Sequence, residues 1–220
     1  MSYYIVQGIY ILIQVAVVLL CITVHEFSHG YMAYRLGDDT AKRQGRLTLN
    51  PIKHLDPIGA IMLLVARFGW AKPVPVNPYN FQNMKTGMAL TAVAGPASNF
   101  VFAILAAFLY RELAQGTFFT AANTNFFITC TQFFLQMLVV INCALGLFNL
   151  LPIPPLDGSK IIGGFMSDDL YFRWMEWERK GAFVLMAIIL ISFVFKIPIL
   201  ARIIYPPLNF LTNLLIGVEL

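Results

Sequence analysis

A chain that runs for 20 residues or more without a charge, and does so repeatedly, has few folds open to it. Residues 5–24 (IVQGIYILIQVAVVLLCITV) carry no charge, nor do residues 87–110 and 126–151. At the rise of an α-helix, 20 residues reach about 30 Å, the hydrocarbon thickness of a bilayer. The composition agrees, with 59% hydrophobic and 12% charged residues, where soluble domains average about 25% charged. These runs predict an all-α polytopic membrane protein: a helical bundle forming a single domain over residues 1–220, with the lipid bilayer as its surroundings.

The first helix is expected to continue to Tyr34 and stop near Gly37. It lacks the basic start and the prompt small-residue cleavage site of a signal peptide, so it reads as a retained span. Arg35, Lys42, Arg43, Arg46 and Lys53 follow it. Basic residues confined to short loops suit cytoplasmic retention rather than nucleic-acid binding, which places this end of the span on the cytoplasmic side. Residues 43–50 alternate around Leu47 and Leu49, a strand pattern. Residues 58–66 are apolar but too short to cross as a helix. Residues 70–78 (WAKPVPVNP) alternate prolines, which suits only an extended edge. A small membrane-associated β-hairpin or re-entrant segment is therefore expected between the first two spans.

Along 87–110, Gly87, Thr91, Gly95, Asn99, Ala103 and Ala107 fall every fourth residue, a close-packing face of a membrane helix. Pro96 is expected to kink or open that helix. Residues 113–125 read as a connecting loop. Residues 167–180 read as an interfacial helix with Ser167 as its N-cap, and residues 181–195 as the start of a fourth span reaching toward Ala201. Residues 203–218, interrupted by Pro206-Pro207, are either a short fifth span or an in-plane segment. Cys21, Cys130 and Cys143 all lie in apolar runs and read as packing residues.

The chemistry sits at the end of the first run, in His25-Glu26-Phe27-Ser28-His29. On a helix, histidines four apart share a face and can grip one metal ion, and the intervening Glu26 can act as general base on a metal-bound water. A catalytic zinc takes three protein ligands and leaves one position open. If the first span runs inward and residues 58–66 do not cross, the third span returns to the same membrane level and delivers Asp157. Glu112 emerges on the opposite side. Asp157, between prolines and Gly158, is the best-placed third ligand. A plain turn carboxylate is the alternative role for it, and His54 is the competing ligand. Ser28 and Asn142 read equally as lining of a water path or as interhelical glue.

Three ordered elements together resemble the site-2 protease family of intramembrane zinc metalloproteases, in its compact prokaryotic form. They are the H-E-x-x-H of residues 25–29, the G-P-x-x-N of Gly95-Pro96-Ala97-Ser98-Asn99, and the N-x-x-P-x-P-x-L-D-G that runs from Asn149 to Gly158. The resemblance implies one Zn2+ held by His25, His29 and Asp157, with Glu26 activating the water. It also implies that Asn149, and Asn99 with it, holds the substrate backbone or the developing oxyanion. The implied substrates are single-span transmembrane proteins, often already cut by another protease. A substrate helix must unwind before attack, and residues 43–50 and 70–78 are expected to offer it a strand edge, with Leu47 and Val74 beside the substrate. The competing readings of the same residues are a membrane metal-ion carrier and a catalytically inactive relative that binds membrane clients.

Overall fold

The computed structural model describes residues 3–59, 69–115 and 125–218, and its described elements are helical. Helix α1 spans Tyr3–Arg35 and α2 spans Met84–Gln115. Helix α3 spans Phe126–Asn149, and a short α4 spans Asp157–Gly163. Helices α5 and α6 span Asp168–Val194 and Ile199–Ile216. Among the described residues four helices are long and apolar enough to cross a membrane: α1, α2, α3 and α6.

Helix α2 is the hub of the bundle and packs against α1, α3, α4 and α6. The row of small and polar residues on it is the reason. Gly87, Thr91, Gly95, Asn99, Ala103 and Ala107 are all buried. Without bulky side chains on that face, neighbouring helices approach closely, which is how packing is achieved where lipid offers no hydrophobic drive. The core continues through Val17 and Cys21 of α1, Tyr110 of α2, Leu138, Val139 and Cys143 of α3, and Ile216 of α6. The outward faces stay apolar: Leu12 of α1 is 68% exposed and Phe108 of α2 is 61% exposed. Lipid is the medium that can cover such faces.

Helix α1 ends as its sequence predicts, with Gly37 at φ +105°. A glycine takes that conformation without steric cost. Asp38 follows, fully buried, and ties the end of α1 to the extended segment 72–77. Its carboxylate accepts from the backbone N–H of Thr40 (3.1 Å) and from the Thr40 hydroxyl. It also accepts from the Asn77 N–H (2.7 Å) and the Asn80 amide (2.7 Å).

Two expectations need correction. Residues 43–50 are not a strand, and no hairpin forms among the described residues. A helical turn (Thr40–Arg43) leads into Gly45 at φ +64°, and Asn50 caps the 3-10 turn Pro51–His54 by accepting from Ile52 N–H at 3.1 Å. Local turns and caps take the backbone N–H groups of residues 43–46 and of Asn50, at both ends of the stretch. What remains is one isolated antiparallel bridge, Leu55 to Ala71, and a clamp in which the Arg46 guanidinium donates to Lys72 O at 2.8 Å. Second, the interfacial helix and the start of the fourth span are one continuous helix, α5. It ends at Val194. Ser167 is its N-cap residue but makes no side-chain capping bond. Of the two readings of residues 203–218, the spanning one agrees with α6, which is long and apolar enough to cross. It carries Pro206 and Pro207 internally without breaking, as membrane helices tolerate. The re-entrant reading of 58–66 and the loop reading of 113–125 fall mostly on residues 60–68 and 116–124, outside the described residues.

Burial alone would raise the Asp38 carboxyl, but its hydrogen-bond donors outweigh this and hold it below the ordinary carboxylate range. A carboxyl whose folded pKa is depressed stabilises the fold above its unfolded pKa, about 3.9, and loses that contribution as pH falls through the folded value. Asp38→Asn is therefore expected to destabilise the chain by about 1–3 kcal/mol at pH 7. The gap to wild type should shrink below about pH 4. Thermal unfolding in detergent across that range checks it, and a gap independent of pH would refute the charged clamp.

Candidate metal centre

His25 and His29 lie one turn apart on the same face of α1. Asp157 opens α4, immediately after the proline-rich segment that leaves α3. The turn that delivers it is tight. A Cβ on Gly158 would sit 2.2 Å from Leu150 O and 2.4 Å from Leu151 O, so only glycine lets α4 fold back on the end of α3. The result is a triangle of ligand atoms. His25 Nε2 and His29 Nε2 are 2.9 Å apart, and each is 3.2 Å from Asp157 Oδ2. Three atoms each about 2.0–2.1 Å from a tetrahedral ion stand about 3.3 Å apart, so the triangle has the dimensions of a zinc-type site.

The donor chemistry fits as well. Asp157 Oδ2 is buried yet has no hydrogen-bond partner, a costly state unless a cation shares the space. Burial pushes the Asp157 carboxyl up, but the two imidazoles beside it more than reverse this and hold it below the usual carboxylate range. Each histidine is oriented from behind: His29 Nδ1 meets the Thr91 carbonyl at 2.7 Å, and His25 Nδ1 meets Asn99 Oδ1 at 2.6 Å. Such outer partners turn the opposite ring nitrogen toward the metal.

Glu26 lines the cavity beside the triangle, a space of about 280 Å³ that also touches Val74, Asn149, Asp157 and Lys160. Its Oε2 accepts the backbone N–H of Val74 at 2.8 Å. The extended segment 72–77 thus forms a strap over the site, held at one end by Arg46 and at the other by Asp38.

The sequence-derived residues divide cleanly by position. His25, His29 and Asp157 converge; among the described residues they are the cluster able to hold a metal ion. His54 is elsewhere: it is buried, with Nε2 on Thr48 O at 2.8 Å, a turn-stabilising contact. Asn149 is at the cavity and donates to Leu145 O at 3.0 Å, which leaves its second amide hydrogen for another acceptor. Asn99 is fully buried behind His25. Leu47 and Val74 come together by closing over Gly30 of α1, but only Val74 lines the cavity. Ser28 donates to Val24 O of its own helix. Sequence reasoning placed Gly95 on the close-packing face but missed the Val74 contact to Glu26, and Lys160. Lys160 was within reach, since it lies one helical turn after Asp157.

Two histidines and a carboxylate on one metal-sized triangle, with a glutamate beside it and the whole set into a bundle of spanning helices, define a membrane-embedded metallopeptidase. The profile of Peptidase family M50 matches residues 13–195, and the chain belongs to that family. It is 41% identical to YwhC of Bacillus subtilis over 89% of this chain and 85% of that one. It is 31% identical to Rip2 of Mycolicibacterium smegmatis over 84% of this chain and 68% of that one. Both relatives carry provisional names as zinc metalloproteases. No solved structure matches the chain at a significant level.

Gly95 sets the distance between α1 and α2. A Cβ there would lie 2.4 Å from His29 Nε2 and 2.7 Å from His25 Cε1. Gly95→Ala must move both ligands or the helix, and is expected to weaken zinc affinity by about 10–100-fold, the range seen when support of metal ligands is lost. Competition with a chelating dye measures it; unchanged affinity would show that α2 can retreat freely.

Proposed function

We propose that this chain is a zinc-dependent intramembrane endopeptidase. Its substrates are single-span membrane proteins, including ones already shortened by another protease, cut within or near the transmembrane helix. The observation that carries the reading is the metal-sized triangle of His25, His29 and Asp157, with Glu26 on the same cavity, built on a membrane-spanning helix. Residues 1–220 act as one peptidase unit, since α1 and α3 to α6 are linked to one another directly or through α2. The basic residues that follow α1 favour a site facing the cytoplasm.

Zinc held there, one per chain, would lower the pKa of a water toward neutrality and polarise the scissile carbonyl. Glu26 takes the proton of that water and delivers it to the leaving nitrogen. The Val74 N–H fixes the direction in which Glu26 points. The spare amide hydrogen of Asn149 is the candidate donor to the carbonyl oxygen as negative charge builds on it.

The strap gives the substrate a place to unwind. Pro73 and Pro75 have no N–H and the Val74 N–H is held by Glu26, so the donor of this stretch left for a substrate is at Val76, which lines the cavity. An extended substrate can pair along the cavity side, while the proline side offers no donors. Leu47 supports this arrangement by packing with Val74 over Gly30.

Glu26→Gln keeps the metal ligands and removes the base. It is expected to retain about one zinc per chain and to lose cleavage of a transmembrane substrate by about 10²–10⁴-fold. Asp157→Ala should lose both zinc and cleavage. Zinc counted by elemental analysis and cleavage in reconstituted vesicles check this. Metal flux that survives Glu26→Gln would support a carrier, and zinc binding without cleavage in wild type would support an inactive client-binding relative.

A further inference from the structure

His25 differs from His29 in what holds it. His29 leans on a backbone carbonyl, Thr91 O, which any residue at that position supplies. His25 leans on a side chain that in turn depends on another. His25 Nδ1 is 2.6 Å from Asn99 Oδ1, and Asn99 Nδ2 donates to Asn142 Oδ1 at 2.8 Å. Asn142 Nδ2 donates to Leu138 O at 2.8 Å. Asn99 and Asn142 are fully buried, and His25 is 5% exposed. The row crosses from α1 through α2 to α3.

This row can run in only one direction. Leu138 O is a carbonyl and can only accept, so Asn142 must turn its NH2 toward it and its oxygen toward Asn99. Asn99 must then present NH2 to Asn142. The Cys21 carbonyl, 3.4 Å from the same Asn99 nitrogen, is another pure acceptor and demands the same orientation. The Asn99 oxygen is left facing His25, so Nδ1 carries the ring hydrogen. His25 Nε2 is then a lone pair aimed at Asp157 and His29. Flipping either amide would set oxygen against oxygen in a buried space, at the cost of an unsatisfied polar group on each side.

We infer that Asn99 and Asn142 are positioning residues that lock His25 in its Nδ1–H tautomer, so that Nε2 is permanently set to bind the metal. The inference rests on the metal reading of the site and extends it two residues beyond the ligands. A neutral His25 free to choose its tautomer would place a hydrogen on Nε2 in part of the population, and that fraction could not bind without rearranging. Packing alone would not require polar groups at these two positions: residues of similar size could fill the space.

The test uses the full chain in lipid nanodiscs, stripped of metal by chelation and labelled with 15N-histidine. Nitrogen shifts report the tautomer, and dye competition reports zinc affinity. Wild type should show His25 as Nδ1–H before any metal is added; Nε2–H there overturns the lock outright. Asn99→Leu should weaken zinc binding by about 10–100-fold. Asn142→Leu, which touches no ligand, should weaken it several-fold and mix the His25 tautomers. Asn99→Asp keeps an acceptor for Nδ1–H but loses the donor to Asn142, and should bind zinc more tightly than Asn99→Leu. If both leucine variants lower the thermal stability of the metal-free chain while zinc affinity and tautomer stay unchanged, the asparagines are interhelical glue and the inference fails. If wild type binds no zinc at all, the metal reading fails instead, and the tautomer of His25 still decides the lock.

Discussion

The centre of this protein depends on one close approach. Helix α2 presents Gly95 to the two histidines of α1, at a distance no side chain allows. From that contact the rest follows geometrically. Thr91 and Asn99, one turn to either side of Gly95, fall behind His29 and His25 and hold them. Gly146 of α3 accepts the Phe100 ring, so α3 also comes in close and its end reaches the level of the histidines. The metal ligands are therefore set by backbone packing first and by side-chain chemistry second.

The part of this that was legible in the sequence is the part written in single residue types with strict spacing. Histidines four apart on an uncharged helix, a row of small residues every fourth position, and an aspartate locked between prolines and glycine each imply one geometry. The small-residue row proved buried along its whole length, and the three candidate ligands met. Leu47 and Leu49 misled because two alternating residues satisfy a strand pattern as well as a bend. Caps at Asn50 and Asp38 then captured the backbone locally. The boundary between α5 and α6 was misjudged because hydrophobicity was weighed segment by segment. A helix that starts with charges and ends apolar belongs to neither class. The order of the Asn99–Asn142 row could not be read at all, since it depends on which atoms of two amides face which carbonyls across three helices.

The strap shows a division of labour between charge and hydrogen bonding. Asp38 and Arg46, both buried, fix its two ends. The middle is held by the Val74 N–H on Glu26 and by the Val74 side chain, which closes with Leu47 over Gly30. Its prolines limit backbone freedom and remove the donors that would invite unwanted pairing on the far side.

The triangle of ligands also links distant parts of the chain. Two ligands belong to the first helix and the third to residue 157, with more than half of the sequence between them. During synthesis the first helix leaves the ribosome and enters the bilayer long before its aspartate exists. A half-made chain therefore carries the paired histidines and the glutamate but no complete centre. The candidate metal centre therefore cannot close until Asp157 has been made, and the same late closure joins the first helix to the end of the third.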